Sequence, residues 1–196
     1  MFTDWVRRRG RGVIDPIARV VARTGLSPNA VTVIGLLLML LVGLVLSQGY
    51  FQVGGGLLIL AAIFDAIDGA MARLYNRATR FGAFFDSTLD RFAEAAVFLG
   101  ILVYFEQQGS STQVILAYVT IVGSLMVSYT RARAEGIGLS IKGGFLTRLE
   151  RMLILIVGLL LNLPTVALII LAPLTNFTAL QRMWLTWRAT QQQTDL

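Results

Sequence analysis

Long apolar runs separated by short polar clusters dominate this chain. Runs close to the ~20 residues that cross a bilayer fall at roughly 30–48, 53–75, 83–105, 113–133, 149–163 and 165–185. They predict an all-α integral membrane protein with six transmembrane helices. The clusters between them alternate in charge. "SQGYFQ", "EQQGSST" and "LNLP" hold no Lys or Arg, whereas all 17 basic residues lie before the first run, around the second and fourth turns, or at the end of the last run. Positive segments stay on the cytoplasmic side. An even number of spans with both termini in the cytoplasm satisfies every one of these charges.

Composition agrees with that reading, since 56% of the 196 residues are hydrophobic and the mean hydropathy is +0.71. The net charge of +6 does not point to nucleic acid, because the basic residues collect at one membrane face rather than along a soluble groove. Anionic lipid headgroups and phosphorylated substrates are the partners this charge fits. There is no cysteine, hence neither a disulfide framework nor a thiol nucleophile. The arginines at the N-terminus precede no apolar core or small-residue cleavage site, so a removed signal peptide is not expected. Ahead of the first span, Val13, Ile14, Ile17, Val20 and Val21 recur at helical spacing behind Asp15-Pro16. This predicts an amphipathic helix lying on the cytoplasmic surface, as an anchor or as part of a substrate entrance. Gly25 would end it and Ser27-Pro28-Asn29 would open the first span. Residues 1–196 are expected to form one membrane domain, with 1–29 as the juxtamembrane segment and 30–188 as the six-helix bundle.

Four aspartates interrupt this apolar pattern. Asp65 and Asp68 stand three apart late in the second run, and Asp86 and Asp90 four apart early in the third. Both spacings put side chains on one helix face, one turn apart. Antiparallel neighbours joined by a short turn would bring the two pairs together at the cytoplasmic end. Gathering four carboxylates costs several kcal/mol for each uncompensated ion, so positive charge must accompany them. Arginines supply it in a structural network, and protons would in an ion pathway. Divalent cations fit better, because they take oxygen ligands from paired carboxylates. With no His or Cys in the chain, Mg²⁺ or Mn²⁺ is expected rather than zinc. Gly69, Ala72 and Gly82 keep the backbone beside the carboxylates open to a bulky ligand.

The whole stretch reads Asp65-x-x-Asp68-Gly69-x-x-Ala72-Arg73, eight residues, then Gly82-x-x-x-Asp86-x-x-x-Asp90. It resembles the signature of the CDP-alcohol phosphotransferase family at every specified position and in the length of the spacer. That resemblance implies a six-helix membrane enzyme in which an alcohol attacks the phosphorus of a CDP-linked lipid such as CDP-diacylglycerol and CMP leaves. It further implies two Mg²⁺ or Mn²⁺ ions held by Asp65, Asp68 and Asp86. Asp90 would act as general base and touch the second ion, while Gly69, Ala72, Arg73 and Gly82 would line the CDP-lipid site. A homodimer is implied as well. Glu94, one turn beyond Asp90, falls outside the signature and is expected to partner an arginine.

The segment "SYTRARAEGIGLSIKGGFLTRLERMLI" carries five basic residues between positions 131 and 151. A positive-inside signal alone accounts for such a cluster. Facing the same cytoplasmic cavity as the aspartates, it would also bind an anionic acceptor, since arginine matches phosphate in fork geometry. Ser128-Tyr129, Arg131-Ala132-Arg133-Ala134-Glu135, Gly143-Gly144-Phe145, Arg148-x-Glu150-Arg151 and Gln181-Arg182 resemble the branch of the family that uses inositol phosphate. By that resemblance Arg131, Arg133, Arg151 and Arg182 would hold the acceptor phosphate. Arg131 stands where Lys is common, and Thr147 and Leu149 replace the usual Glu and Pro. Glycerol-3-phosphate is the alternative acceptor, and a small proton-coupled transporter is the alternative of another class.

Overall fold

The computed structural model describes residues 16–20, 23, 25–74, 79–140 and 143–194, without the side chains of 68, 72–74 and 193–194. Val13, Ile14 and Val21 of the expected surface helix lie outside the described residues, as do the first four arginines, Arg77 and Lys142. The described chain is helical throughout: α1 (Pro28–Ser47), α2 (Phe51–Leu74), α3 (Arg80–Gln107), α4 (Ser111–Gly136), α5 (Arg148–Leu160) and α6 (Pro164–Thr194). Its contacts divide into two units, residues 1–97 and 98–196, and the division falls inside α3.

Each helix starts where local chemistry permits. Ser27 caps α1, its Oγ accepting the Ala30 N–H at 3.2 Å, and Pro28 occupies the first turn, where a missing N–H costs nothing. Thr79 does the same for α3 through the Gly82 N–H at 2.8 Å. At α5 the Thr147 N–H donates to Glu150 Oε2 at 2.6 Å, the backbone half of a capping box. The turns expected on the non-cytoplasmic side bend through left-handed residues: Gly49 (φ 83°), Gly109 (φ 66°) and Asn162 (φ 58°).

In the first unit α1 packs along α2. Ala18, from the helical residues 16–20, is buried with Val31, Ile67, Ala70 and Met71, and Phe64 packs against this group. Ile17 and Val20 remain exposed. The short helix therefore touches α1 and α2 through its smallest residue and leaves its apolar side chains outward, as a surface-lying segment requires.

In the second unit α4 and α5 both pack on α6. Lipid offers no hydrophobic drive for helix association, so close backbone approach and interhelical hydrogen bonds carry it. Both occur here. Asn176 Nδ2 donates across to Val119 O at 3.1 Å and along its own helix to Ala172 O at 2.8 Å. A Cβ on Gly123 would collide with the Thr175 hydroxyl and the Asn176 amide. The outward positions of α6, among them Val166, Ile169, Phe177 and Leu180, are exposed and apolar, as a lipid-facing stripe must be.

Four helices contain stretches long and apolar enough to cross a membrane: Pro28–Ser47, Phe51–Met71, Ser111–Gly136 and Pro164–Gln192. The other two depart from the expected pattern for physical reasons. Helix α3 has ample length but carries Asp86, Asp90, Arg91 and Glu94 toward its N-terminal half. Helix α5, with 13 residues, is about 20 Å long, short of a hydrocarbon core of about 30 Å.

Gly123→Leu is expected to separate α4 from α6 and break the Asn176–Val119 bond, lowering stability by about 1–3 kcal/mol. Gly56→Leu, where an added Cβ meets nothing within 4 Å, is the control. Thermal unfolding of both variants in detergent micelles checks this, and equal melting temperatures would contradict the packing argument.

Candidate active site

Helices α2 and α3 bring the aspartates together as their spacing requires. One carboxylate oxygen each from Asp65, Asp86 and Asp90 lies within 4.8 Å of the other two. Asp65 comes from α2, and Asp86 and Asp90 from consecutive turns of α3. The side chain of Asp68 lies outside the described residues, together with those of Ala72 and Arg73. Three hard, acceptor-only oxygens gathered from two helices suit a divalent cation, and the described donor set contains no softer ligand.

The surroundings hold this cluster in register. Arg91 Nη1 donates to Ser87 O at 2.5 Å and stands 3.5 Å from Asp90 Oδ2, so it both braces the helix and offsets one of the carboxylates. Gly82 has a steric reason within the first unit. A Cβ there would lie 2.9 Å from the capping Thr79 Oγ1 and 3.4 Å from Asn29 Oδ1 of α1. Gly69 is half-buried in α2. Glu94 is buried one turn beyond Asp90, at 4% exposure. Sequence spacing alone does not disclose the Thr79 cap or the approach of Asn29, because both depend on how the chain enters α3 beside α1.

The expected acceptor arginines all belong to the second unit, and they differ in setting. Arg131 pairs with Glu135, Nε to Oε1 at 2.8 Å, on the exposed face of α4. Arg133 is exposed in the last turn of that helix, where the helix dipole favours a cation. Arg151 is different. It sits in the first turns of α5 at 1% exposure, a place where the helix dipole opposes positive charge and burial penalises it. Arg182 of α6, 6% exposed, donates from Nη1 to Val127 O at 2.6 Å and from Nε to Gly143 O at 3.2 Å. Next to it, Gln181 Oε1 accepts the Phe145 N–H at 2.9 Å. Gln181 was legible only as a neighbour of Arg182, since 36 residues separate it from the amide it holds.

Comparison with known proteins gives consistent results. A family model for CDP-alcohol phosphatidyltransferase matches residues 25–190. The chain is 38% identical over 149 residues to the phosphatidylinositol phosphate synthase of Cutibacterium acnes, covering 75% of this chain and 72% of that one. It is 33% identical over 183 residues to the archaetidylinositol phosphate synthase of Pyrococcus horikoshii, covering 91% and 93%. The crystal structure of Mycobacterium tuberculosis phosphatidylinositol phosphate synthase with CDP-DAG bound superposes with a TM-score of 0.84 at 34% identity, covering 89% of this chain and 94% of that one. The same enzyme in complex with manganese and citrate also gives 0.84 at 34% identity, covering 89% and 88%.

Asp86→Asn removes one ligand charge while keeping the side-chain shape. Mn²⁺ affinity of the purified protein, read by electron paramagnetic resonance, is expected to fall about 100-fold or more, beyond what loss of an outer-shell partner causes, with monodispersity in detergent preserved. Undiminished Mn²⁺ binding would rule out the carboxylate cluster as the metal site.

Proposed function

The chain belongs to the CDP-alcohol phosphatidyltransferase family, and on that premise we propose that it transfers the phosphatidyl group of CDP-diacylglycerol to inositol phosphate, releasing CMP and forming phosphatidylinositol phosphate. The observation that carries this reading is the convergence of Asp65, Asp86 and Asp90 within 4.8 Å on a complete family signature. The choice of acceptor is supported by the inositol phosphate synthases among its relatives and by the buried arginine at the start of α5.

In the proposed reaction the acceptor hydroxyl attacks the lipid-side phosphorus in line, a new O–P bond forms, and the bond to the CMP oxygen breaks. Asp65, Asp68, Asp86 and Asp90 would hold two divalent ions, which when bound neutralise the pyrophosphate and polarise the attacked phosphorus. Asp90 accepts a hydrogen bond from the acceptor hydroxyl, orients its oxygen and takes up its proton. Arg91, beside Asp90 Oδ2, keeps that carboxylate from turning away. Gly69, Ala72, Arg73 and Gly82 line the CDP-lipid site, their small side chains admitting the nucleotide and the arginine meeting its phosphates. Arg131, Arg133, Arg151 and Arg182 hold the acceptor phosphate. Arg131 and Arg133 are exposed on α4, whereas Arg151 and Arg182 are buried, at 1% and 6% exposure.

We further propose one membrane domain of six spans with both termini and the reacting groups on the cytoplasmic side, in a cell membrane. The basis is the segregation of all 17 basic residues. The cysteine-free chain makes this directly measurable. Gln108→Cys should react with an impermeant maleimide added outside intact cells, and Gln192→Cys only after permeabilisation. The reverse pattern would invert the topology.

An acceptor panel tests the reaction itself. With CDP-diacylglycerol and Mg²⁺, CMP release is expected with inositol phosphate well above that with inositol, serine or glycerol-3-phosphate. A preference for glycerol-3-phosphate would overturn the acceptor and leave the reaction class. Arg151→Ala should raise the KM for inositol phosphate roughly ten- to a hundred-fold, from the loss of a charge-assisted hydrogen bond of about 1.5–3 kcal/mol, and leave that for CDP-diacylglycerol nearly unchanged. Arg188, exposed and stacked 5.6 Å from the Trp184 ring, is the control. Equal effects of Arg151→Ala and Arg188→Ala would reduce the arginine cluster to a topology signal.

A further inference from the structure

The loop between α4 and α5 is tied to α6 at closely spaced points. Gly143 O accepts from Arg182 Nε at 3.2 Å, the Phe145 N–H donates to Gln181 Oε1 at 2.9 Å, and the Phe145 ring meets Phe177 edge-on at 6.5 Å between centroids. Residues 177 and 181 share one face of α6, and 182 lies next to 181 around the helix. Directly downstream, the Thr147 N–H is fixed by Glu150, and Arg151 follows one turn into α5. Backbone groups at 143, 145 and 147 thus each have a set partner just ahead of the buried arginine. Gly144 fits the same device. A Cβ at that position, whose φ is 156°, would lie 2.8 Å from Arg182 Nε and 3.0 Å from Nη2, so only glycine lets the guanidinium reach past the loop.

Resting on the acceptor assignment above, we propose that Gln181 is a positioning residue: with Arg182 it clamps the loop 143–145 onto α6, and this clamp sets where Arg151 enters the acceptor site. The chemistry of the side chain supports this role. An amide oxygen takes the Phe145 N–H as an uncharged acceptor beside Arg182. Arg182 consequently acts on the acceptor through the backbone it holds as well as through its own charge. Gln181 touches neither substrate in this scheme, and its influence runs through the start of α5.

Gln181→Met keeps the length and removes the acceptor oxygen, and Gln181→Glu keeps an acceptor oxygen. Hydrogen exchange of the peptide spanning 143–147, measured on the full-length protein in detergent without substrate, should quicken about three- to ten-fold in Gln181→Met, the range one hydrogen bond covers. It should stay near the wild-type rate in Gln181→Glu. In parallel, Gln181→Met should raise the acceptor KM by a similar factor, with kcat and the CDP-diacylglycerol KM within about twofold of wild type. Gly144→Ala, which displaces the Arg182 side of the clamp, should reproduce that split even if Gln181→Met folds poorly. Unchanged exchange in Gln181→Met, or an equal rise in both KM values, would overturn the proposal, as would a fall in kcat alone accompanied by a lower melting temperature. The kinetic arm uses whichever acceptor the wild-type protein turns over, so an error in the inositol phosphate assignment shows in the wild type alone and stays separate from failure of the clamp.

Discussion

Lipid tolerates no uncompensated charge, and the clustered carboxylates of this protein follow from that rule. A carboxylate inside a span is expensive, and one oxygen from each of three lies here within 4.8 Å of the others. No arrangement of neutral side chains stabilises such a group. Positive charge must accompany such a cluster, and Arg91, at 3.5 Å from Asp90, is one source of it. Divalent cations suit the gathered oxygens, and once bound they would give a phosphorylated ligand a reason to bind where the carboxylates alone would repel it. The same rule shapes the helices: α3 bears the charges and loses its apolar character in that half, while α1 and α2, which pack on each other, provide the long apolar stretches.

That dependence explains why the all-helical membrane fold and the convergence of Asp65, Asp86 and Asp90 were legible in the sequence. The start of α1 follows from Ser27-Pro28, a local signal, whereas the Thr79 cap and the Thr147–Glu150 pair show only in the structure. The four-residue spacing of Asp86 and Asp90 needs only helical geometry to put both on one face, where Asp65 of α2 joins them. What the sequence concealed is of two kinds. Helix α5 reads as an apolar run of span length, but Leu161 to Leu163 belong to a turn around left-handed Asn162 (φ 58°), so the helix stops at 13 residues. The other kind consists of contacts between distant segments, such as Gln181 with the Phe145 amide or Asn176 with Val119. No periodicity encodes them, because each partner looks locally like an ordinary polar residue.

The arginines illustrate how setting separates residues of equal charge. By sequence, Arg131, Arg133, Arg151 and Arg182 are one basic cluster near a membrane face. By structure, Arg131 has Glu135 beside it, Arg133 sits where the α4 dipole welcomes it, and Arg182 holds two backbone carbonyls. Only Arg151 is placed against both the helix dipole and the burial cost.

The two halves of the chemistry also differ in how they are built. The carboxylates ride on regular helices, so their geometry is set by helix pitch and by one helix pair. Arg151, to which the proposed site assigns the acceptor phosphate, rides on a helix whose first turn is preceded by a loop, and a loop has no pitch to define its position. Something else must fix it. In this protein that task falls to α6, whose Gln181 and Arg182 hold backbone atoms of residues 143 and 145 at hydrogen-bond distance. On the proposed assignments, the metal site depends on residue identity at a few spaced positions, whereas recognition of the acceptor depends on contacts made far away in sequence. Acceptor choice can then change by altering the loop or its anchors on α6 while the aspartates stay as they are.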